Sequence, residues 1–137
     1  MCIRDSPKGV VVGEGDRDLV QRDGQVRLWW ERTPIDLFFS YHAFHEHAAA
    51  RVRVVPFGDV EIPVLNCTDL AICKAMFARA KDWVDIENAA HSGSIDAVEA
   101  LTWVERMLGA DSPNHQRLTE VLANPRDVND DGIVRFE

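Results

Sequence analysis

An aspartate in the middle of an apolar strand is the first residue that could do chemistry. Asp36 sits among Ile35, Leu37, Phe38 and Phe39, where a carboxylate is costly to desolvate unless a metal, a cation or an open cleft receives it. The alternative is an edge strand with Asp36 facing water, and the residue pattern leaves both arrangements open. A second group follows downstream in Lys74, Arg79, Lys81, Asp82 and Asp85. A helix running unbroken at ~100° per residue would put Lys74, Ala78, Lys81 and Asp85 on one face, with Asp82 beside them and Arg79 elsewhere. A break near Lys81, with Asp82 capping a new helix, is the other arrangement. In the bland case these charges are local salt bridges that solubilise a helix pair.

Other chemistry-bearing residues carry less. The stretch Tyr41-His42-Ala43-Phe44-His45-Glu46-His47 lacks the His-Glu-x-x-His spacing of zinc proteases. On a helix His45 and His47 would point ~200° apart, so a solvated helix start is expected. Asp127-Val128-Asn129-Asp130-Asp131-Gly132-Ile133-Val134 resembles the start of an EF-hand calcium loop, but Glu137 falls one position short of the usual bidentate glutamate. An acidic tail is the expectation there. Cys2, Cys67 and Cys73 are odd in number and form no Cys-x-x-Cys pair, so neither a disulfide framework nor a zinc knuckle is signalled. A reducing, cytoplasmic compartment suits them. Trp29, Trp30, Trp83 and Trp103 fall at positions compatible with a core.

The elements that would position these residues read as strands first and helices afterward. Gly9 to Gly15 reads as a short strand or extended entry, and Asp23-Gly24 as a turn. Gln25–Trp30 and Ile35–Ser40 alternate as strands of an antiparallel hairpin joined through residues 31–34. A short helix is expected over 44–51, and strands over 52–55 and 60–64 around Pro56-Phe57-Gly58-Asp59. Helices are expected over 69–80, 82–91, 95–108 and 113–123. Thr68 is the expected N-cap of the first of them, and Pro113 suits the opening turn of the last. Leu70, Cys73, Phe77, Ala80 and Val84 form the expected apolar stripe. The order implies an α+β domain.

Three runs share an order and spacing that no single short motif supplies. Pro34-Ile35-Asp36-Leu37-Phe38-Phe39 comes first, then Ile62-Pro63-Val64-Leu65 leading into Asp69-Leu70 and Lys74, then Arg79-x-Lys81-Asp82-x-x-Asp85. Together, over residues 25–90, they resemble the minimal nucleotidyltransferases of the DNA polymerase β superfamily, abortive-infection type toxins among them. The resemblance implies an antiparallel or mixed sheet followed by a C-terminal helical bundle. It implies that Asp36 is the third of three carboxylates holding two Mg²⁺ ions against a nucleoside triphosphate, and the proton acceptor if one is needed. The ions would neutralise the triphosphate and activate a hydroxyl acceptor for in-line attack on the α-phosphorus. Lys74 would steady the triphosphate as a point charge. Asp82 and Asp85 would line the same cleft, with Arg79 or Lys81 orienting them or meeting phosphate. An antitoxin protein is an implied partner.

One departure bears on all of this. The family's Gly-Ser followed by Asp-x-Asp is absent upstream of Asp36. Asp16-Arg17-Asp18 has the two-residue spacing, and strand alternation would aim both side chains alike. It lacks the Gly-Ser and the apolar strand, and Gly13 and Gly15 suggest a loop. The parent protein is therefore expected to be a nucleotidyltransferase, and this polypeptide is expected neither to hold two metals nor to turn over. The alternative is a non-catalytic nucleotidyltransferase-fold binding or interaction module.

The totals bound these expectations. The chain has 137 residues, 46% of them hydrophobic, enough for a buried core. A net charge of -8 argues against an extended nucleic-acid groove while leaving room for a local basic pocket. No apolar run approaches the ~20 residues that cross a bilayer, so no membrane partner is expected. Residues 1–6 read as an artefactual adapter-derived leader, residues 7–65 as the sheet region, 66–123 as the helical region and 124–137 as an acidic tail.

Overall fold

Strand β1 (Val10–Val11), helix α1 (Asp16–Asp23) and strands β2 (Gln25–Trp30) and β3 (Thr33–Phe38) open the computed structural model, which describes residues 9–40 and 42–126. Helix α2 (Ala43–Ala50), strands β4 (Arg53–Phe57) and β5 (Val60–Val64), and helices α3 (Cys67–Phe77), α4 (Ala80–His91), α5 (Ala97–Leu108) and α6 (Pro113–Ala123) complete the order. The class is α+β, with two small antiparallel sheets in place of one. The chain forms two compact units whose boundary, between His47 and Ala48, falls within α2. The leader at 1–6 and the calcium-loop-like tail from Asp127 lie outside the described residues, as does Tyr41.

In the first unit the strands pair in the order β1-β2-β3, so β3 is an edge strand. The expected hairpin is present, with Val26 opposite Leu37, Arg27 opposite Asp36 and Leu28 opposite Ile35. Its connection is tighter than expected, since Trp30 pairs with Thr33 and only Glu31 and Arg32 form the loop. Alternation along β2 buries Val26 and Leu28, and α1 packs against this strand. The opposite face carries Arg27, Trp29, Pro34, Asp36 and Phe38, all exposed. Trp29 and Trp30 are 48% and 51% exposed, which corrects their expected core roles. A three-stranded sheet with one uncovered face leaves half of its side chains in water.

Strand β1 falls within the expected short strand or extended entry at 9–15, whereas helix α1 stands where a loop was suggested around Asp16-Arg17-Asp18. Asp16 and Asp18 favour a helix N-terminus and Arg22 the C-terminal end. Gly24 then closes the helix in the left-handed region at φ 65°, its N–H donating to the Val20 carbonyl. Two residues apart on a helix, Asp16 and Asp18 diverge by ~200° and do not form the aligned pair that a strand would give.

The second unit begins with the β4–β5 hairpin, where Phe57 pairs with Val60 across Gly58-Asp59. Gly58 has φ 64° at the first position of this two-residue loop, a conformation that suits glycine. Four helices then enclose a core of Ile72, Ala75, Trp83, Ile86, Ala100, Val104 and Leu118. Asn66 rather than Thr68 caps α3, its side chain accepting the Asp69 N–H. Thr68 is buried, and its hydroxyl oxygen accepts the Asp96 N–H at the start of α5. Helix α3 buries Thr68, Ala71, Ile72 and Ala75, whereas Leu70 and Phe77 are exposed, which overturns the expected stripe. The segment is apolar on most sides, so periodicity did not distinguish its inner face. Asp96 and Ser112 cap α5 and α6, and Pro113 occupies the first turn as expected. No helix among the described residues is long and apolar enough to cross a membrane.

Candidate functional site

Asp36 belongs to the first unit and lies in mid-strand on the uncovered face of its sheet. Its side chain is 43% exposed. The directly opposed Arg27 donates Nε to Oδ1 at 2.6 Å and Nη2 to Oδ2 at 2.8 Å. This is the two-pronged geometry that guanidinium and carboxylate favour, and it holds the arginine proton more firmly than usual. A carboxylate among apolar strand neighbours calls for a metal or a cation only where it is desolvated. The structure answers this need with an edge strand, water and a cross-strand cation.

Two Mg²⁺ ions would each draw about six oxygen ligands, most of them carboxylate, phosphate or water. Asp36 is the only carboxylate on its sheet face among the described residues, and both its oxygens already accept from Arg27. These residues do not fit the two-metal site that the resemblance implies.

Lys74, Arg79, Lys81, Asp82 and Asp85 belong to the second unit. The helix breaks earlier than either expected arrangement. Ala78 takes the left-handed conformation at φ 53°, its N–H donating to the Lys74 carbonyl, and Arg79 becomes the N-cap of α4. Asp82 is the third residue of α4 rather than its cap. It accepts the Arg79 backbone N–H at 3.2 Å, Arg79 Nε at 2.7 Å and Nη2 at 3.1 Å. The arginine thus supplies both the backbone donor of the capping arrangement and a paired cation. Lys74 reaches back from α3, with Nζ 2.6 Å from Asp85 and 3.5 Å from Asp82.

The structure therefore brings Lys74, Arg79, Asp82 and Asp85 together, while Lys81 is exposed with no ion pair among the described residues. Asp82 is 1% exposed, yet the Arg79 side chain that covers it is 71% exposed, so the lid over this carboxylate is thin. Hydrogen bonds from the Arg79 guanidinium hold the Asp82 carboxyl below the usual range, and partial desolvation opposes them. The arrangement fastens the α3–α4 corner, and its cations are taken up by its own acids.

A third polar group escaped the sequence reading. Asp69 is fully buried in the first turn of α3 and exchanges two hydrogen bonds with Asn66. Arg51 pairs with Glu99 through both terminal nitrogens and lies 3.9 Å from Asp69. Asn followed by Asp three residues later was the available signal, a capping pattern at a helix start. Arg51 and Glu99 are 48 positions apart, and nothing local announces their pairing. His45, discounted as a zinc ligand, is half-buried in α2, and burial makes it harder to protonate.

Comparison of the chain with protein-family models, with curated proteins and with solved structures finds no match.

Proposed function

We propose that the chain is a nucleotidyltransferase-like module that by itself neither holds two Mg²⁺ ions nor transfers a nucleotide. The order of the Asp36, Lys74 and Arg79–Asp85 motifs supports the family assignment. One observation carries the lack of turnover: Asp36 stands without a second carboxylate on its sheet face and is held by Arg27 through both oxygens. Nucleotidyl transfer from a nucleoside triphosphate to a hydroxyl acceptor would belong to a parent protein that supplies two further carboxylates beside Asp36. The uncovered face on which Asp36 lies suits that role, because the carboxylate meets solvent instead of core.

The test is label transfer from α-labelled triphosphates by the purified chain with Mg²⁺ or Mn²⁺, alongside Mn²⁺ broadening of the Asp36 and Leu37 amide resonances. No transfer and no selective broadening are expected, with or without Asp36→Ala. Transfer that Asp36→Ala abolishes would overturn the proposal.

A second reading, a non-catalytic interaction module, is favoured by the same sheet face. Val11, Trp29 and Phe38 flank the Arg27–Asp36 pair there and are all exposed, a concentration of apolar surface that commonly marks a contact site.

A further inference from the structure

Within the second unit, Arg51, Arg53, Asn66, Cys67, Thr68 and Ser94 line an open cleft of about 590 Å³. None of the six carries a negative charge. Two are guanidinium groups, and the others offer hydroxyl, amide or thiol hydrogens. In a chain of net charge -8 such a donor-rich lining stands apart from the general surface. The volume lies within the range that small-molecule sites occupy.

The two arginines differ in role. Arg51 is tethered, with Glu99 on both terminal nitrogens and Asp69 3.9 Å away. Asp96 adds a third negative charge near it, so these acids more than offset its charge, and Glu99 fixes the guanidinium plane. Arg53 opens β4, is exposed, and makes no ion pair among the described residues. Thr68 accepts the Asp96 N–H at 2.9 Å, which leaves its hydroxyl hydrogen to donate. Ser94 is exposed at the rim; because the Ser92 hydroxyl donates to the Ala89 carbonyl, the Ser94 hydroxyl donates to Ser92 Oγ at 2.8 Å.

We propose that this cleft binds a phosphate-bearing small molecule. Arg53 supplies the uncompensated charge, Arg51 an oriented set of donors, and Thr68 a hydroxyl hydrogen, with Ser94 at the rim beside them. A tetrahedral oxyanion can accept from several directions at once, which suits donors arriving from β4, from Arg51 just before it and from the start of α3. The space beyond one phosphate group accommodates the body of a phosphomonoester. The proposal uses none of the residues assigned by the nucleotidyltransferase resemblance and stands or falls apart from it.

Calorimetry and amide-shift mapping on the full chain at low salt test it, with inorganic phosphate, glycerol phosphate and succinate as probes. Saturable shifts at Arg53, Thr68 and Ser94 in the millimolar range or below are expected for the two phosphates, with succinate weaker. Arg53→Ala should weaken phosphate binding by about tenfold or more, the value of a charged hydrogen bond. Arg53→Lys should recover part of the loss, keeping the charge without the fork. Arg106→Ala removes an equal charge from the far end of α5, about 15 Å along the helix from its N-cap Asp96, and should change binding by less than about twofold. Absence of saturable shifts, equal weakening by Arg106→Ala, or tighter succinate than phosphate binding would each overturn the proposal. Circular dichroism confirms the fold of each variant. If Arg53→Ala does not fold, Arg53→Lys and the succinate comparison decide.

Discussion

Replacing Asp82 by alanine removes three attachments at the α3–α4 corner: the acceptor for the Arg79 backbone N–H, the partner of the Arg79 guanidinium, and a neighbour of Lys74. The capping component is worth about 1 kcal/mol. The guanidinium component is smaller than a fully buried pair would give, because Arg79 is 71% exposed and regains water when its partner goes. About 1 kcal/mol is appropriate for it. Lys74 keeps Asp85 at 2.6 Å and contributes little to the loss. The expected destabilisation is therefore about 2 kcal/mol for Asp82→Ala, and about 1 kcal/mol for Asp82→Asn, which retains an acceptor. At about 4–8 °C per kcal/mol for a unit of this size, the alanine variant should melt about 8–16 °C lower.

Trp83, buried at the same corner with its indole N–H donating to the Ala78 carbonyl, reports the transition by fluorescence in a urea titration. The carboxyl is held below its ordinary value in the folded state, so its contribution is complete above about pH 4 and disappears as pH falls through the folded value. The difference between wild type and Asp82→Asn should close in that acidic window. A loss under about 0.5 kcal/mol for alanine, well below what a cap is worth, would refute the assignment of the corner to this carboxylate.

Two further outcomes follow from local geometry. Ala78 occupies the left-handed region at φ 53°, so Ala78→Gly should raise stability by about 0.5–1 kcal/mol and Ala78→Val should lower it, read from the midpoint of the same titration. Burial and the nearby Asp69 charge push the Cys73 thiol above its ordinary value, leaving less thiolate at any given pH. Its alkylation by iodoacetamide near pH 8 should be slower than that of a free cysteine, and equal rates measured by mass spectrometry would contradict this.

Much of the fold was legible because local chemistry and tertiary packing agree. Gln25–Trp30 and Val60–Val64 match their expected bounds, since alternation and flanking turns mark them. Pro113 marks the first turn of α6 as its fixed backbone angle predicts, while the caps Asp96 and Ser112 emerge only in the structure. The misses share a cause. Asp16 to Asp23 is weakly apolar and lay between glycines, so its helix depends on packing against β2 that no local pattern displays. Phe77 and Ala78 continue a helical pattern, and the break comes from a backbone conformation that alanine seldom adopts. At the site, the continuous-helix arrangement, one of two that the spacing left open, puts Asp82 and Asp85 near Lys74, and they do meet, but across a folded-back pair that takes in Arg79 and leaves out Lys81. Asp36 was singled out for its apolar neighbours, while the decisive residue, Arg27, lies nine positions earlier and meets it only once the strand register is set.

The reversal at Ala78 and Arg79 also makes the charge cluster sensitive to length. Because only Ala78 and Arg79 separate α3 from α4, and both are tied down (the Ala78 N–H to the Lys74 carbonyl, Arg79 to Asp82), one residue added between Phe77 and Ala80 would disturb the left-handed stop or the cap and with it the reach of Lys74 to Asp85. The same addition after Ser92 would leave that lysine and its acids in place, because both helices that carry them have ended by then. Tolerance to insertion should therefore differ sharply between two neighbouring loops, with the shorter corner behaving as the fixed joint of the helical unit.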